Sequence, residues 1–118
     1  MDKEPERSMP MAKLEKILHG NIEEIADRIE NGILKRSMTS SLEDKSVFCV
    51  GNAKCHVLVF ERYSAMGSNR VSLNVTLFQA EEGTVHLSAI ASGGSQAILF
   101  KLNTFGEEAF LDTLKEFI

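Results

Sequence analysis

The sequence predicts an α+β domain with a mostly antiparallel sheet of about six strands and two helices packed on one face, in the order β-α-β-β-β-β-β-α. Apolar residues alternate with a period of two through most of positions 46–102, the mark of half-buried strands. Two segments, one on each side of that stretch, carry apolar residues at helical spacing. With 118 residues the chain supports one hydrophobic core, so the two helical stripes and one sheet face must cover each other.

Residues 1–10 (MDKEPERSMP) are polar and aperiodic, and read as a flexible N-terminal extension ahead of a single domain over 11–118. An opening strand over 12–18 (AKLEKIL) points Leu14 and Leu18 inward. Asn21 with Glu24 forms a capping box, followed by the stripe Ile22, Ile25, Ala26 and Ile29; Asn31-Gly32 is a natural helix stop. Val47 and Cys49 then alternate with Ser46 and Phe48 up to a turn at Gly51-Asn52. Cys55, Val57 and Val59 take one face of the next strand, with His56, Leu58 and Phe60 on the other. Val71, Leu73, Val75 and Leu77 follow, then Val85, Leu87, Ala89 and Ala91. A Gly93-Gly94 hairpin leads into a last strand over 96–102 (QAILFKL), pairing Ala89 with Ile98, Leu87 with Phe100 and Val85 with Leu102. Elsewhere apolar matching opposes Cys49 to Cys55, Val59 to Leu73 and Leu77 to Val85, since a one-residue slip turns a strand over. Thr104 with Glu107 caps a C-terminal helix whose stripe is Phe110, Leu111, Leu114, Phe117 and Ile118. This order is close to the TATA-binding-protein-like and helix-grip-like plans, an analogy that carries no function.

Charge and composition exclude several classes. Thirteen Lys+Arg against 17 Asp+Glu give −4, where a nucleic-acid module would show a basic face. No apolar run approaches the ~20 residues of a spanning helix, and residues 1–10 lack the apolar stretch of a secretory signal. The expectation is a cytoplasmic protein without nucleic-acid or membrane partners. Cys49 and Cys55 are too few for a disulfide scaffold and lack metal-site spacing, so they read as small hydrophobes and no cofactor or metal is expected.

Four stretches together resemble a known family: Glu61–Ser64 (ERYS), Gly67–Leu77 (GSNRVSLNVTL), Ser92–Gln96 (SGGSQ) and Asn103–Leu111 (NTFGEEAFL). It consists of small, uncharacterised proteins of low-GC Gram-positive bacteria that begin where Met11 stands here. The resemblance covers roughly residues 11–118 and implies a bacterial, cytosolic setting. Because the family is a domain of unknown function, it transfers no catalytic residue.

The expected registers suggest two candidate sites. Arg62 falls opposite Arg70, and Arg70 opposite Ser92. Two like charges across a strand pair repel, and glycine-turn amides suit an anion. That makes Arg62, Arg70, Ser92, Gly94 and Ser95 a candidate site for a small anionic ligand, with solvent or Glu61 and Glu43 screening the arginines as the simpler account. The second sheet face carries Leu58, Phe60, Phe78, Ile90 and Leu99 among polar residues, too apolar for a wetted surface. An exposed apolar patch marks association, and a two-fold homodimer is the commonest outcome.

His56 and His86 are expected on that second face, flanking Thr76 about 10 Å apart, with no Cys, Asp or Glu between them to complete the four ligands of a zinc site; His19 is isolated. Ser92-Gly93-Gly94-Ser95 is not a nucleophile elbow, no phosphate or dinucleotide fingerprint is present, and Glu43-Asp44 and Glu107-Glu108 do not face each other as acid and base. The sequence therefore favours a self-associating, non-enzymatic interaction protein. Its alternative is a small-ligand module or enzyme with a cavity between the sheet and the C-terminal helix.

Overall fold

The computed structural model describes residues 11–63, 70–93 and 100–118. The elements run β1 (Met11–His19), α1 (Ile22–Arg36), β2 (Ser40–Val50), β3 (Ala53–Tyr63), β4 (Arg70–Gln79), β5 (Thr84–Gly93) and α2 (Phe100–Lys115). The strands form one antiparallel sheet in the order β1-β5-β4-β3-β2, so β4 is central and β1 and β2 are the edges. Both helices lie on the same face, α1 over β2–β4 and α2 over β4, β5 and β1. Sheet and helix layer make a slab 21 Å thick.

The sheet thus has five strands among the described residues where about six were expected. Phe100 and Leu102 are helical, so the strand over 96–102 is corrected; Ile98, Leu99 and residues 94–97 lie outside the described residues. The edge of β5 that this strand was to occupy is taken by β1, with Leu14 opposite Ala89 and Leu18 opposite Val85. Apolar pairing by itself favours the expected strand, since in β1 Lys16 falls opposite Leu87; the helix that begins at Phe100 rules that strand out. Thr104 and Glu107 accordingly lie inside α2 and do not cap it.

In α1 the Asn21 side chain accepts from the Glu24 N–H at 2.9 Å, as the capping box requires. The helix does not stop at Asn31-Gly32 but runs a full turn further, to Arg36. Ile33 continues the buried stripe of Ile22, Ile25, Ala26 and Ile29. Gly32 serves packing instead: the Phe117 ring rests on it so closely that an added Cβ would lie 2.5 Å from Cδ1. Phe110, Leu111 and Leu114 of α2 are buried beside the α1 stripe, and Arg28 Nε donates to the Phe117 carbonyl at 3.0 Å across the two helices.

Two registers differ from expectation by one residue. Gly51 has φ +58° and Asn52 does not have positive φ, the pattern of a two-residue type II′ turn. Such a turn makes Val50 the partner of Ala53, so Cys49 faces Lys54 and Val47 faces His56. β3 likewise sets Phe60 against Leu73 and Val59 against Asn74. This turns β3 over: Leu58 and Phe60 are 2% and 0% exposed in the core, and Val57 and Val59 lie on the other face. Both faces of β3 are apolar, so alternation alone does not choose between them; the larger pair goes where the helices cover it. β4 and β5 shift by two residues, with Leu77 against Leu87, and keep their faces.

Candidate functional site

Three turns converge at one end of the sheet and form a polar cleft of about 640 Å³ lined by Gly20, Asn21, Glu23, Gly51, Asn52, Lys54, Gln79, Ala80, Glu81 and Glu82. Gly20 N–H donates to the Gly83 carbonyl at 3.0 Å, joining the β1–α1 corner to the β4–β5 turn. Lys54, at the start of β3, donates from Nζ to Glu23 Oε2 at 3.0 Å. That bond holds the Glu23 carboxyl below its ordinary pKa and the Lys54 ammonium above its own. His56 lies one inward position further along β3. Its Nε2 is buried, makes no hydrogen bond among the described residues, and sits 3.9 Å from the same Glu23 oxygen. The register slip of β3 brought His56 to this side, away from His86 on the opposite face, which corrects the expected pairing around Thr76. The Glu23–Lys54–His56 cluster joins a helix to a strand 31 residues later, so it has no local sequence signal. Among the described residues, no three of His, Cys, Asp and Glu are grouped as metal ligands.

The two arginines of the expected anion site lie on opposite faces of the sheet. Arg62 points to the helix-covered face: its guanidinium lies 4.5 Å from the centre of the Phe110 ring, and Nη1 donates to Thr113 Oγ1 at 3.3 Å. Burial pushes its pKa down from the ordinary value, and an arginine stays charged there regardless. Arg70 points to the opposite face, paired with Glu61 and 5.6 Å from the Tyr63 ring centre. Arg62 faces Val71 across the sheet, and Ser92 faces Ser72. Gly94 and Ser95 lie outside the described residues. Two arginines on opposite faces of one sheet cannot grip one small anion.

The face bare of helices carries the other candidate surface. Cross-strand partners line up as straight rows from edge to edge. The first is Ile17–His86–Phe78–Cys55–Phe48, the next Glu15–Ser88–Thr76–Val57–Ser46, and the third Lys13–Ile90–Asn74–Val59–Asp44. In the first row Ile17 is 55%, Phe78 42% and Phe48 56% exposed. A shallow depression of about 480 Å³ lies against Ile17, Phe78, His86 and Ser88. Of the five residues expected at an association surface, Phe78 and Ile90 lie on this bare face. Leu58 and Phe60 are core residues, and Leu99 is outside the described residues. Ile17, Phe48 and Val59 replace them, because β1 joins the sheet and β3 is turned over.

Residues 11–118 match the model of a family described as a family of unknown function. No curated protein matches the chain. No helix among the described residues is long and apolar enough to cross a membrane.

Proposed function

The chain belongs to DUF6054, a family of unknown function, and from that premise we propose that it is a non-enzymatic interaction protein of the bacterial cytoplasm that self-associates through its bare sheet face. The row Ile17–His86–Phe78–Cys55–Phe48 carries this reading. It sets three large, exposed apolar side chains across the full width of a face that no helix among the described residues covers, and burying such surface is the main drive for association. Cys49 and Cys55 are free thiols, as suits a reducing compartment. The test is sedimentation at micromolar concentration. The wild type is expected at twice the 13.1 kDa chain mass, and Phe78→Lys at the single-chain mass with a cooperative melt whose midpoint no longer depends on protein concentration. A wild type that sediments as single chains sinks the proposal.

A second reading, a small-ligand module, draws on the cleft at the sheet's end, where the buried His56 Nε2 makes no hydrogen bond among the described residues beside the Glu23–Lys54 pair. Mass spectrometry of the purified protein for a retained ligand, followed by thermal shift with Lys54→Met and His56→Ala, separates the two. A ligand whose protection disappears in both variants would favour the cleft.

A further inference from the structure

We propose that the bare face docks on the same face of a second copy about a two-fold axis running along β4, stacking the two sheets as a sandwich with helices outside. This rests on the self-association reading and adds to it which residue meets which. β4 is the middle strand of five. Rotation about an axis along it lays β1 of one copy over β2 of the other and β5 over β3, and leaves each row facing its own reversed copy.

Each row, read backwards, then complements itself. Ile17 meets Phe48 of the second copy, His86 meets Cys55, and Phe78 meets Phe78 on the axis, so the apolar row buries itself. Two rows on, Lys13 meets Asp44 and Ile90 meets Val59, giving two opposite-charge contacts at the rims from one pair of residues. Packed sheets cross at about 30°; a crossing at the first row keeps Phe78 on Phe78, displaces the rim contacts of that row by about 5 Å, and displaces those two rows on by about 8 Å. Arg70, at the end of β4, approaches its own copy, but Glu61 already partners its charge. A two-fold axis across the strands centred on the first row also buries that row on itself, Ile17 on Ile17 and Phe48 on Phe48, but carries Lys13 and Asp44 beyond the overlap; capture by Ile17→Cys alone would report it. Centred on the second row such an axis sets Ile17 on Lys13 and Phe48 on Asp44; centred on the third it sets Lys13 on Lys13 and Asp44 on Asp44. Five strands ~4.8 Å apart and about eight residues long cover roughly 600 Å² per copy, or ~1,200 Å² for the pair, the lower end of a specific interface.

Cross-linking reads the register directly. Stacked sheets lie about 10 Å apart, beyond disulfide reach, so a short bis-maleimide is the probe. Ile17→Cys, Phe48→Cys and the double variant are made in a Cys49→Ser, Cys55→Ser background of the full chain. Within one chain the two positions are four strand spacings apart, about 19 Å, so linkage between them reports the partner. The double variant is expected to cross-link as a dimer several-fold more than either single variant, and Phe78→Cys to cross-link alone. Lys13→Cys/Asp44→Cys, at exposed polar positions, repeats the test should the apolar variants fail to fold. A sample that sediments as a dimer yet is captured equally by Ile17→Cys alone, or is not captured by either pair, overturns the register and leaves self-association standing. A parent that sediments as single chains overturns both.

Discussion

Gly32→Ala puts the contact between the two helices to a test of sign. In a helix interior alanine is favoured over glycine by about 1 kcal/mol, so the change alone would stabilise α1. Here the new Cβ would lie 2.5 Å from Phe117 Cδ1 and 2.6 Å from Cγ, where carbon pairs prefer ~3.5–4.0 Å. The ring must retreat by about 1 Å, while its backbone is held by Arg28 Nε on the Phe117 carbonyl. Losing a core phenylalanine costs ~3–5 kcal/mol; Phe117 is only partly buried against the core, so displacing it forfeits about half of the lower figure or slightly more, ~2 kcal/mol. The net expectation is destabilisation by ~1 kcal/mol. With Phe117→Ala already in place the clash is gone, and Gly32→Ala should stabilise by ~1 kcal/mol, a coupling of ~2 kcal/mol in the double-mutant cycle. Urea unfolding followed by far-ultraviolet circular dichroism, at one fixed protein concentration, measures all four proteins. Stabilisation by the same amount in both backgrounds would show that the ring does not rest on Gly32.

The face assignment of β3 predicts that Phe60→Ala costs ~3–5 kcal/mol, while Val59→Ala, half-buried on the bare face, costs about 1 kcal/mol or less; urea midpoints that reverse this order would return β3 to its other face. The Glu23–Lys54 pair predicts a pH window. A carboxyl depressed in the folded state stabilises above its ordinary pKa of 4.5, and that contribution is lost as pH falls through its lower folded value. An ammonium raised in the folded state stabilises below 10.5 and loses its contribution as pH rises through the higher folded value. The melting-temperature difference between wild type and Lys54→Met should therefore be full at neutral pH and shrink at both extremes; a difference that persists undiminished at pH 2 would show that packing, not charge, sustains it.

What the sequence made legible follows from where its pattern has only one solution. β4 alternates small polar with large apolar residues from Val71 to Leu77, and every inward position it implies is buried. α1 begins after its cap Asn21 as its capping residues dictate. Phe110, Leu111 and Leu114 of the α2 stripe are buried as their spacing implies, whereas Phe117 and Ile118 lie past the end of α2 at Lys115 and are only partly buried. β3 defeats the same reasoning because Val57 and Val59 are as good a strand face as Leu58 and Phe60; the turn at Gly51-Asn52 decides, through the requirement that Val50 pair with Ala53. The segment over 96–102 has apolar residues compatible with either period. Its neighbour β5 is paired instead by β1, 65 to 81 residues earlier, so no local pattern reveals the choice. The site residues inherit these outcomes: one slipped register separates Arg62 from Arg70, brings His56 to Glu23, and exchanges Leu58 and Phe60 for Val59 on the bare face.

That exchange also separates folding from association. The two helices bury Leu58, Phe60, Leu73, Val75, Leu77, Leu87 and Ala89 on the inner face, so the core of a single chain draws nothing from Ile17, Phe48 or Phe78. An outer row needed only for folding gains little from being large and apolar, since cross-strand pairs on an exposed face are worth ~0.2–1 kcal/mol each. The same three positions filled by threonine or lysine would serve a solitary two-layer slab nearly as well and would protect its sheet from chance contacts. A third apolar layer becomes necessary only if something covers the sheet. Covering it with a second sheet turns a helix–sheet slab into four layers, with the apolar row at the midplane and Lys13 and Asp44 at its rims.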